Sequence, residues 1–135
     1  MKLIILDGGS GTGKSTIRRF IYSKYKSDVI LLDRFTPSNW VFSYLRGKNN
    51  TKEILELEKI FDSIFKPTVI ILYCDTLEAE KRSVNKGDFL EFSIDDEKDA
   101  FNMYFEISGY SNIVKLDTSN LKVEELARKV MNIIE

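Results

Sequence analysis

The feature that most constrains this chain is a glycine-rich segment near its start. Residues 8–15, Gly-Gly-Ser-Gly-Thr-Gly-Lys-Ser, fit the pattern G-x-x-x-x-G-K-[ST] at every position. The short apolar run Leu3–Leu6 precedes the segment, and apolar residues at helical spacing follow Lys14. Glycines allow the backbone to curl around an anion, and the N-terminus of the following helix adds positive charge there. The segment is therefore predicted to bind phosphate, the alternative being an ordinary glycine-rich turn between a strand and a helix.

The residue types in this segment suit a nucleoside triphosphate and its metal ion. Lys14 would bring a mobile positive charge to the β- and γ-phosphates, and Ser15 would offer its hydroxyl to Mg²⁺. We therefore predict ATP and Mg²⁺ as cofactors. The residues predicted to surround the phosphates are Gly8, Ser10, Gly11, Thr12, Gly13, Lys14 and Ser15.

Short apolar runs alternate with longer helical patterns, which predicts an α/β, three-layer P-loop NTPase fold with a small parallel sheet and helices on both faces. Strands are expected at 3–6, 29–32, 69–73 and 113–116. Helices are expected at 14–25, 37–46, 77–85, 95–107 and 123–134, with one more that follows Thr51 and is broken by Pro67. Thr36 and Thr51 are expected to cap their helices. Right-handed crossovers give the strand order 2-1-3-4. The third helix is expected to bury the stripe Ile54, Leu57, Phe61, Ile64 and Phe65.

Composition narrows the classes of function. The 135 residues are predicted to form one domain, 1–135, with a net charge of -1, which gives no long-range attraction to nucleic acid or an anionic membrane. The chain has no histidine, so histidine-based triads and metal sites are excluded. The one cysteine, Cys74, lies in an apolar run and is expected to be a buried thiol in a reducing cytoplasm. The first apolar run is too short for a signal peptide or a membrane span.

The second predicted strand ends in Asp33-Arg34, at the same edge of the sheet as the glycine-rich segment. Asp33 is predicted to hold Mg²⁺ or to accept the proton of the attacking oxygen; a simple strand-end cap is the alternative. Arg34 is predicted to bind a phosphoryl acceptor, since its planar fork suits phosphate, with a surface salt bridge as the alternative. Lys14, Asp33 and Arg34 are thus the predicted catalytic residues.

Two segments resemble thymidylate kinases. Residues 33–38, Asp-Arg-Phe-Thr-Pro-Ser, are similar to the start of that family's D-R-[YFH]-x-x-S-x-x-A-[YF] segment. Residues 66–75, from Lys-Pro to Cys-Asp, resemble its K-P-D-L-x-x-x-L-D strand. Its E-x-x-x-x-R helix is resembled by Glu78, Glu80, Lys81 and Arg82. The resemblance covers most of the chain and implies a kinase that phosphorylates nucleoside monophosphates.

The same resemblance implies roles for further residues. Arg34 would bind the acceptor's phosphate, and Thr16 would help to hold the ATP phosphates. Arg82 and Lys86 would belong to a mobile lid over ATP, with solvated helix-end charges as the alternative. The adenine would lie near residues 117–120, unless these residues cap the last helix.

Trp40, Phe42 and Tyr44 could form a wall on which a base stacks. The alternative is core packing of Phe42, with Trp40 and Tyr44 more open. The favoured function is ATP-dependent phosphoryl transfer to a nucleoside monophosphate or nucleoside. A polynucleotide 5′-kinase-like enzyme and a non-catalytic nucleotide-binding module are the alternatives. The expected partner is a small-molecule acceptor, with no membrane or nucleic acid, and a homodimer is left open.

Overall fold

The computed structural model describes residues 1–87 and 90–135, so Asp88 and Phe89 are outside the described residues. Strands and helices alternate along the chain as the apolar patterns predict. The strands are β1 Lys2–Gly8, β2 Val29–Asp33, β3 Thr68–Tyr73 and β4 Ile113–Asp117. The helices are α1 Lys14–Tyr25, α2 Thr36–Leu45, α3 Thr51–Phe65, α4 Thr76–Lys86, α5 Ile94–Ile107 and α6 Val123–Ile134, with a short 3-10 turn at Lys26–Asp28. No helix in these two ranges is long and apolar enough to cross a membrane.

The four strands form one parallel sheet in the order β2-β1-β3-β4, which confirms the predicted order. In the register of the sheet, Leu6 of β1 lies opposite Asp33 of β2, and Gly8 lies opposite Leu72 of β3. The carboxyl ends of these strands are therefore level. The loop that leaves β1 starts beside Asp33.

Helices cover both faces of the sheet, because alternate residues of each buried strand point to opposite sides. Ile4 and Leu6 of β1 pack with α1 and α6, whereas Ile5 packs with α2 and α5. The first cluster includes Ile17, Ile21, Leu126 and Val130, and the second includes Trp40, Val41, Phe101 and Tyr104. The result is the predicted three-layer α/β fold.

The two threonines expected to cap helices do not do so. Thr36 and Thr51 are the first residues of α2 and α3, and neither helix has a side-chain cap. The Thr36 hydroxyl shares a 2.7 Å hydrogen bond with the Tyr110 hydroxyl, and Thr51 Oγ1 accepts from Trp40 Nε1 at 2.9 Å. Both hydroxyls thus tie their helices to other elements of the fold.

The predicted apolar stripe of α3 is only partly buried. Its members Leu57, Ile64 and Phe65 are 50, 65 and 54% exposed. The fully buried residue of α3 is Glu58, whose carboxylate accepts from the Tyr104 hydroxyl at 2.5 Å and from Gly109 N at 2.9 Å. These two donors satisfy a buried carboxylate at a position that the apolar pattern of α3 did not predict to be buried.

Candidate functional site

The glycine-rich loop joins β1 to α1 and lines a cavity of about 250 Å³. Gly11 and Gly13 have φ angles of 73° and 86°, in the left-handed region that glycine tolerates best. Residues 9–15 line the cavity together with Arg34 and Lys86. Gly8 ends β1, and its N–H donates to the Asp7 carboxylate at 2.9 Å.

Side-chain donors hold the back of this loop. Thr118 Oγ1 donates to the carbonyl oxygen of Thr12 at 2.8 Å, and Arg82 Nη1 donates to that of Gly11 at 3.2 Å. In a trans peptide the C=O and the next N–H point in opposite directions. The N–H groups of Thr12 and Gly13 therefore point away from these anchors, as binding an anion on the other side of the loop requires.

Asp33 lies at the rim of the loop between two cations from α1. Lys14 Nζ is 2.5 Å from Asp33 Oδ1, and Arg18 Nη1 is 2.8 Å from Oδ2. Burial by itself would raise the pKa of Asp33, but the hydrogen bonds and charges of Lys14 and Arg18 outweigh it and hold the pKa below its ordinary value. The structure thus brings Lys14 and Asp33 together. Arg18 joins them without having been predicted.

Arg34 turns away from Asp33 and towards the loop. Its backbone has a φ of 68°, and its N–H donates to the carbonyl oxygen of Leu6 at 3.0 Å. Its Nη1 donates to Ser38 Oγ at 2.9 Å and to the carbonyl oxygen of Gly8 at 3.3 Å. Arg34 lines the same cavity as Lys14, so two cations from different elements of the fold face one space.

The residues assigned to a lid occupy different positions. Arg82 lies within α4, where it donates to Gly11, to Thr118 and, at 2.8 Å, to Glu78 Oε1. It lies on the helix where the sequence placed it, and from there it supports the loop from behind. Lys86 ends α4 and lines the phosphate-loop cavity. Of the predicted lid, residues 88 and 89 lie outside the described part of the chain.

Two further predictions concern the ends of the site. Thr16 is exposed and lines a groove between α1 and α6 rather than the cavity. The loop 117–120 does not cap α6, because Lys122 is the N-cap and that helix has no side-chain cap. Instead Ser119 Oγ accepts from Asp75 N at 2.7 Å, and Asn120 N donates to Glu78 at 3.0 Å. The loop is therefore tied to the start of α4.

A second cleft, of about 420 Å³, opens beside Arg34 along α2 and the start of α3. Polar groups dominate its lining, which comprises Ser38, Asn39, Phe42, Ser43, Arg46, Asn50 and Ile54. Carbon Cζ of Arg34 lies 5.9 Å from the centre of the Phe42 ring, and that of Arg46 lies 5.8 Å from it. Trp40, expected to be more open, is only 3% exposed and stacks on Tyr44, which is open as expected at 45%. Phe42 packs edge-on against Phe101 and also reaches the cleft.

Sequence reasoning missed Glu97. This buried carboxylate of α5 accepts the backbone N–H of Ser10 at 2.8 Å and the Ser10 hydroxyl at 3.3 Å. It fixes the tip of the loop from 87 positions away in the chain. No local pattern around Glu97 marks it, since a carboxylate in the first turn of a helix is ordinary.

Comparisons with known proteins agree on the fold. No family model matches the sequence, and no curated protein matches it significantly. Among solved structures, the chain is similar to the YorR protein of Bacillus subtilis in complex with phosphorylated GDP, with 22% identity, a TM-score of 0.75, and coverage of 98% of this chain and 95% of the other. It is also similar to deoxyadenosine kinase from M. mycoides with bound dCTP, with 17% identity, a TM-score of 0.67, and coverage of 98% of both chains.

A second structure of the M. mycoides enzyme, with the products dCMP and dCDP bound, gives 16% identity and a TM-score of 0.66 over 98% of both chains. At these identities the likeness concerns the backbone and not the chemistry of the site. Together with the strand order and the loop geometry, it shows that this chain shares the fold of these solved structures.

Proposed function

We propose that this protein transfers the terminal phosphoryl group of ATP to a nucleoside or nucleoside monophosphate. The observation that carries the proposal is the shared cavity: Lys14 and Arg34 line one space with the backbone of the glycine-rich loop. A donor phosphate on the loop and an acceptor at Arg34 would meet within it. Positioning and charge neutralisation of this kind are most of what phosphoryl transfer requires of a protein.

The acceptor class is supported by the neighbouring folds and by the second cleft. The M. mycoides enzyme binds dATP, dCTP and dCMP, and YorR is seen with a phosphorylated GDP. In this chain the second cleft begins at Ser38, the partner of Arg34, and is lined by Phe42, Asn39 and Asn50. An aromatic face beside amides suits a nucleobase.

Each side chain has a distinct part in the proposed reaction. Lys14 would leave Asp33 for the β- and γ-phosphates, and Arg34 would bind the acceptor's phosphate, as the thymidylate kinase resemblance implies. Asp33 would accept the proton of the attacking oxygen or serve the metal ion. Arg82 would act through Gly11, and Lys86 would add positive charge at the cavity.

The residues present fit a magnesium ion. Oxygen donors suit Mg²⁺, and the chain offers the hydroxyl of Ser15 in the first turn of α1 and the carboxylate of Asp33 at the loop's rim. When bound, the ion would neutralise charge on the phosphate oxygens.

The test is a transfer screen with γ-labelled ATP against the four deoxynucleosides, their 5′-monophosphates, and oligonucleotides with 5′-hydroxyl ends. One deoxynucleoside or monophosphate should be labelled far faster than ATP is hydrolysed alone. Lys14→Ala should abolish turnover, while Lys24→Ala, an exposed lysine on the same helix, should not. Asp33→Asn should fold and lose roughly 10²-fold in rate.

Arg34→Ala should raise the KM for the acceptor far more than the KM for ATP. The reverse pattern would place Arg34 on the donor side. Labelling of oligonucleotides alone would indicate a polynucleotide 5′-kinase instead. Thermal stabilisation by Mg–ADP without any turnover would indicate a nucleotide-binding module.

Three broader expectations remain predictions. One domain spanning 1–135 would carry the whole activity. A cytoplasmic location is proposed because Cys74, the one cysteine, is buried and cannot form a disulfide within the chain. A homodimer is tested by size-exclusion chromatography with light scattering.

A further inference from the structure

The most densely bonded ionisable group beside the site is Asp7, at the end of β1. Its side chain is fully buried, on the sheet edge where the glycine-rich loop begins. Oδ2 accepts from the backbone N–H of Ser38 at 2.8 Å and of Phe35 at 3.3 Å. Oδ1 accepts from the Ser38 hydroxyl at 2.6 Å, from Gly8 N at 2.9 Å and from Arg34 Nη1 at 3.4 Å.

These bonds connect Asp7 to Arg34 by two routes. The direct contact is long, but Ser38 Oγ donates to Asp7 and accepts from Arg34 Nη1 at 2.9 Å, which forms a relay. Every side-chain hydrogen bond that Arg34 makes within residues 1–87 and 90–135 uses Nη1. Nε and Nη2 are thus left to meet an anion in the cavity that Arg34 lines.

Arg34 needs such a restraint because its backbone is in an unfavourable conformation. A φ of 68° costs a residue with a side chain about 1–2 kcal/mol. The turn from β2 into α2 keeps this conformation while Asp7 binds the N–H groups on its C-terminal side. A nearby cation also favours the charged form of a buried carboxylate, and Arg34 brings one to 3.4 Å from Asp7.

We propose that Asp7 is a positioning residue that, through Ser38, holds Arg34 facing the glycine-rich loop and thereby sets how well the acceptor binds. The inference rests on the proposed function for its kinetic consequence, but not for the orientation of Arg34. Asp33 has separate partners, Lys14 and Arg18, and Asp7 touches the glycine-rich loop at Gly8, where β1 ends, so ATP binding should depend on Asp7 less than acceptor binding does.

The test introduces Asp7→Asn and Ser38→Ala into the unmodified protein and into Arg34→Ala, with Asp62→Asn as the control. Asp62 is a partly exposed carboxylate on α3 that accepts one backbone N–H, from Ser111. The acceptor probe is the deoxynucleoside or 5′-monophosphate with the highest turnover in the transfer screen. Ser38→Ala keeps the backbone bonds to Asp7, so it serves if Asp7→Asn does not fold.

Each substitution should raise the acceptor KM about tenfold, as the loss of one charge-assisted hydrogen bond would, and leave the ATP KM within about twofold. In the Arg34→Ala background neither should raise it further, because residues that act through one group are not additive. The inference would be overturned if Asp7→Asn or Ser38→Ala raised the acceptor KM as much in the Arg34→Ala variant as in the unmodified protein. It would also be overturned if either substitution raised the acceptor KM and the ATP KM equally.

A second readout does not depend on turnover. The Nε–Hε signal of Arg34 in ¹⁵N NMR should shift and broaden in Asp7→Asn and Ser38→Ala, and should stay unchanged in Asp62→Asn. If the unmodified protein neither binds Mg–ADP nor transfers phosphate from ATP to any acceptor, the proposed function fails. The Nε–Hε signal still tests whether Asp7 and Ser38 position Arg34. An unchanged signal in Ser38→Ala would overturn the inference, because Asp7 is proposed to hold Arg34 through Ser38.

Discussion

Replacing Gly11 with alanine tests how the glycine-rich loop is seated on α4. Gly11 has a φ of 73°, and a Cβ built there would lie 2.2 Å from the carbonyl oxygen of Ala79 and 2.8 Å from its carbonyl carbon. Both are backbone atoms of a helix and cannot rotate aside. Gly47, between α2 and α3, offers a matched control, because its φ is 78° and a Cβ there would meet no described atom within 4 Å.

The two substitutions change the free energy of unfolding in the same ways, except that only the Cβ of Gly11→Ala overlaps with Ala79. Each places alanine in the left-handed region, at about 1–2 kcal/mol, and each lowers the entropy of the unfolded chain similarly. Only in Gly11→Ala must the loop or the helix move, which breaks the anchors from Arg82 and Thr118 at about 1 kcal/mol each. We therefore expect Gly11→Ala to lose roughly 2 kcal/mol more free energy of unfolding than Gly47→Ala.

Urea denaturation followed by far-UV circular dichroism measures this difference, and thermal shift with Mg–ADP measures the site. Gly47→Ala should keep its stabilisation by Mg–ADP, whereas Gly11→Ala should lose most of it, because the displaced loop no longer presents its N–H groups. Equal losses of stability in the two variants would refute the seating of the loop against Ala79.

Two other predictions concern groups outside the loop. Glu58→Ala should cost about 3 kcal/mol or more in unfolding free energy, since it orphans the buried donors of Tyr104 and Gly109, and Glu58→Gln about 1 kcal/mol, by urea titration. At the surface, hydrogen bonds from Arg46 hold the pKa of Glu91 below its ordinary value of 4.5. The contribution of this pair is therefore complete above that value and is lost as the pH falls through the lowered pKa. The difference in melting temperature between the unmodified protein and Glu91→Gln should be small at neutral pH and should disappear as the pH falls through the lowered pKa.

The parts of this structure that the sequence predicts are those with local signals. Leu3–Leu6 and Val29–Leu32 are short apolar runs, and the right-handed crossover rule converts four such runs into a strand order. Helix α1 begins at Lys14 and ends at Tyr25 as its pattern indicates. In each case the deciding contacts lie within a few residues of the chain.

The parts that sequence reasoning missed depend on partners distant in the chain. Glu97 and Ser10 are 87 positions apart, and neither has a pattern that names the other. In α2, aromatic and aliphatic residues surround much of the helix, so periodicity alone could not decide which side is buried. The packing of α5 against α2 buries Trp40 and leaves Phe42 at the cleft.

The contact between Arg18 and Asp33, which was not predicted, changes how the predicted pairing of Lys14 and Asp33 is interpreted. Lys14 and Arg18 are four residues apart on α1, so both side chains lie on one side of the helix and reach the two oxygens of Asp33. If Lys14 were the only partner, its move to a bound phosphate would leave a partly buried carboxylate unpaired, which is costly. With Arg18 in place at 2.8 Å, Asp33 keeps a counter-ion when Lys14 departs. The lysine of the loop is therefore held on a partner that can release it, and the energetic cost of recruiting it to an anion is lower than the short Lys14–Asp33 contact alone suggests.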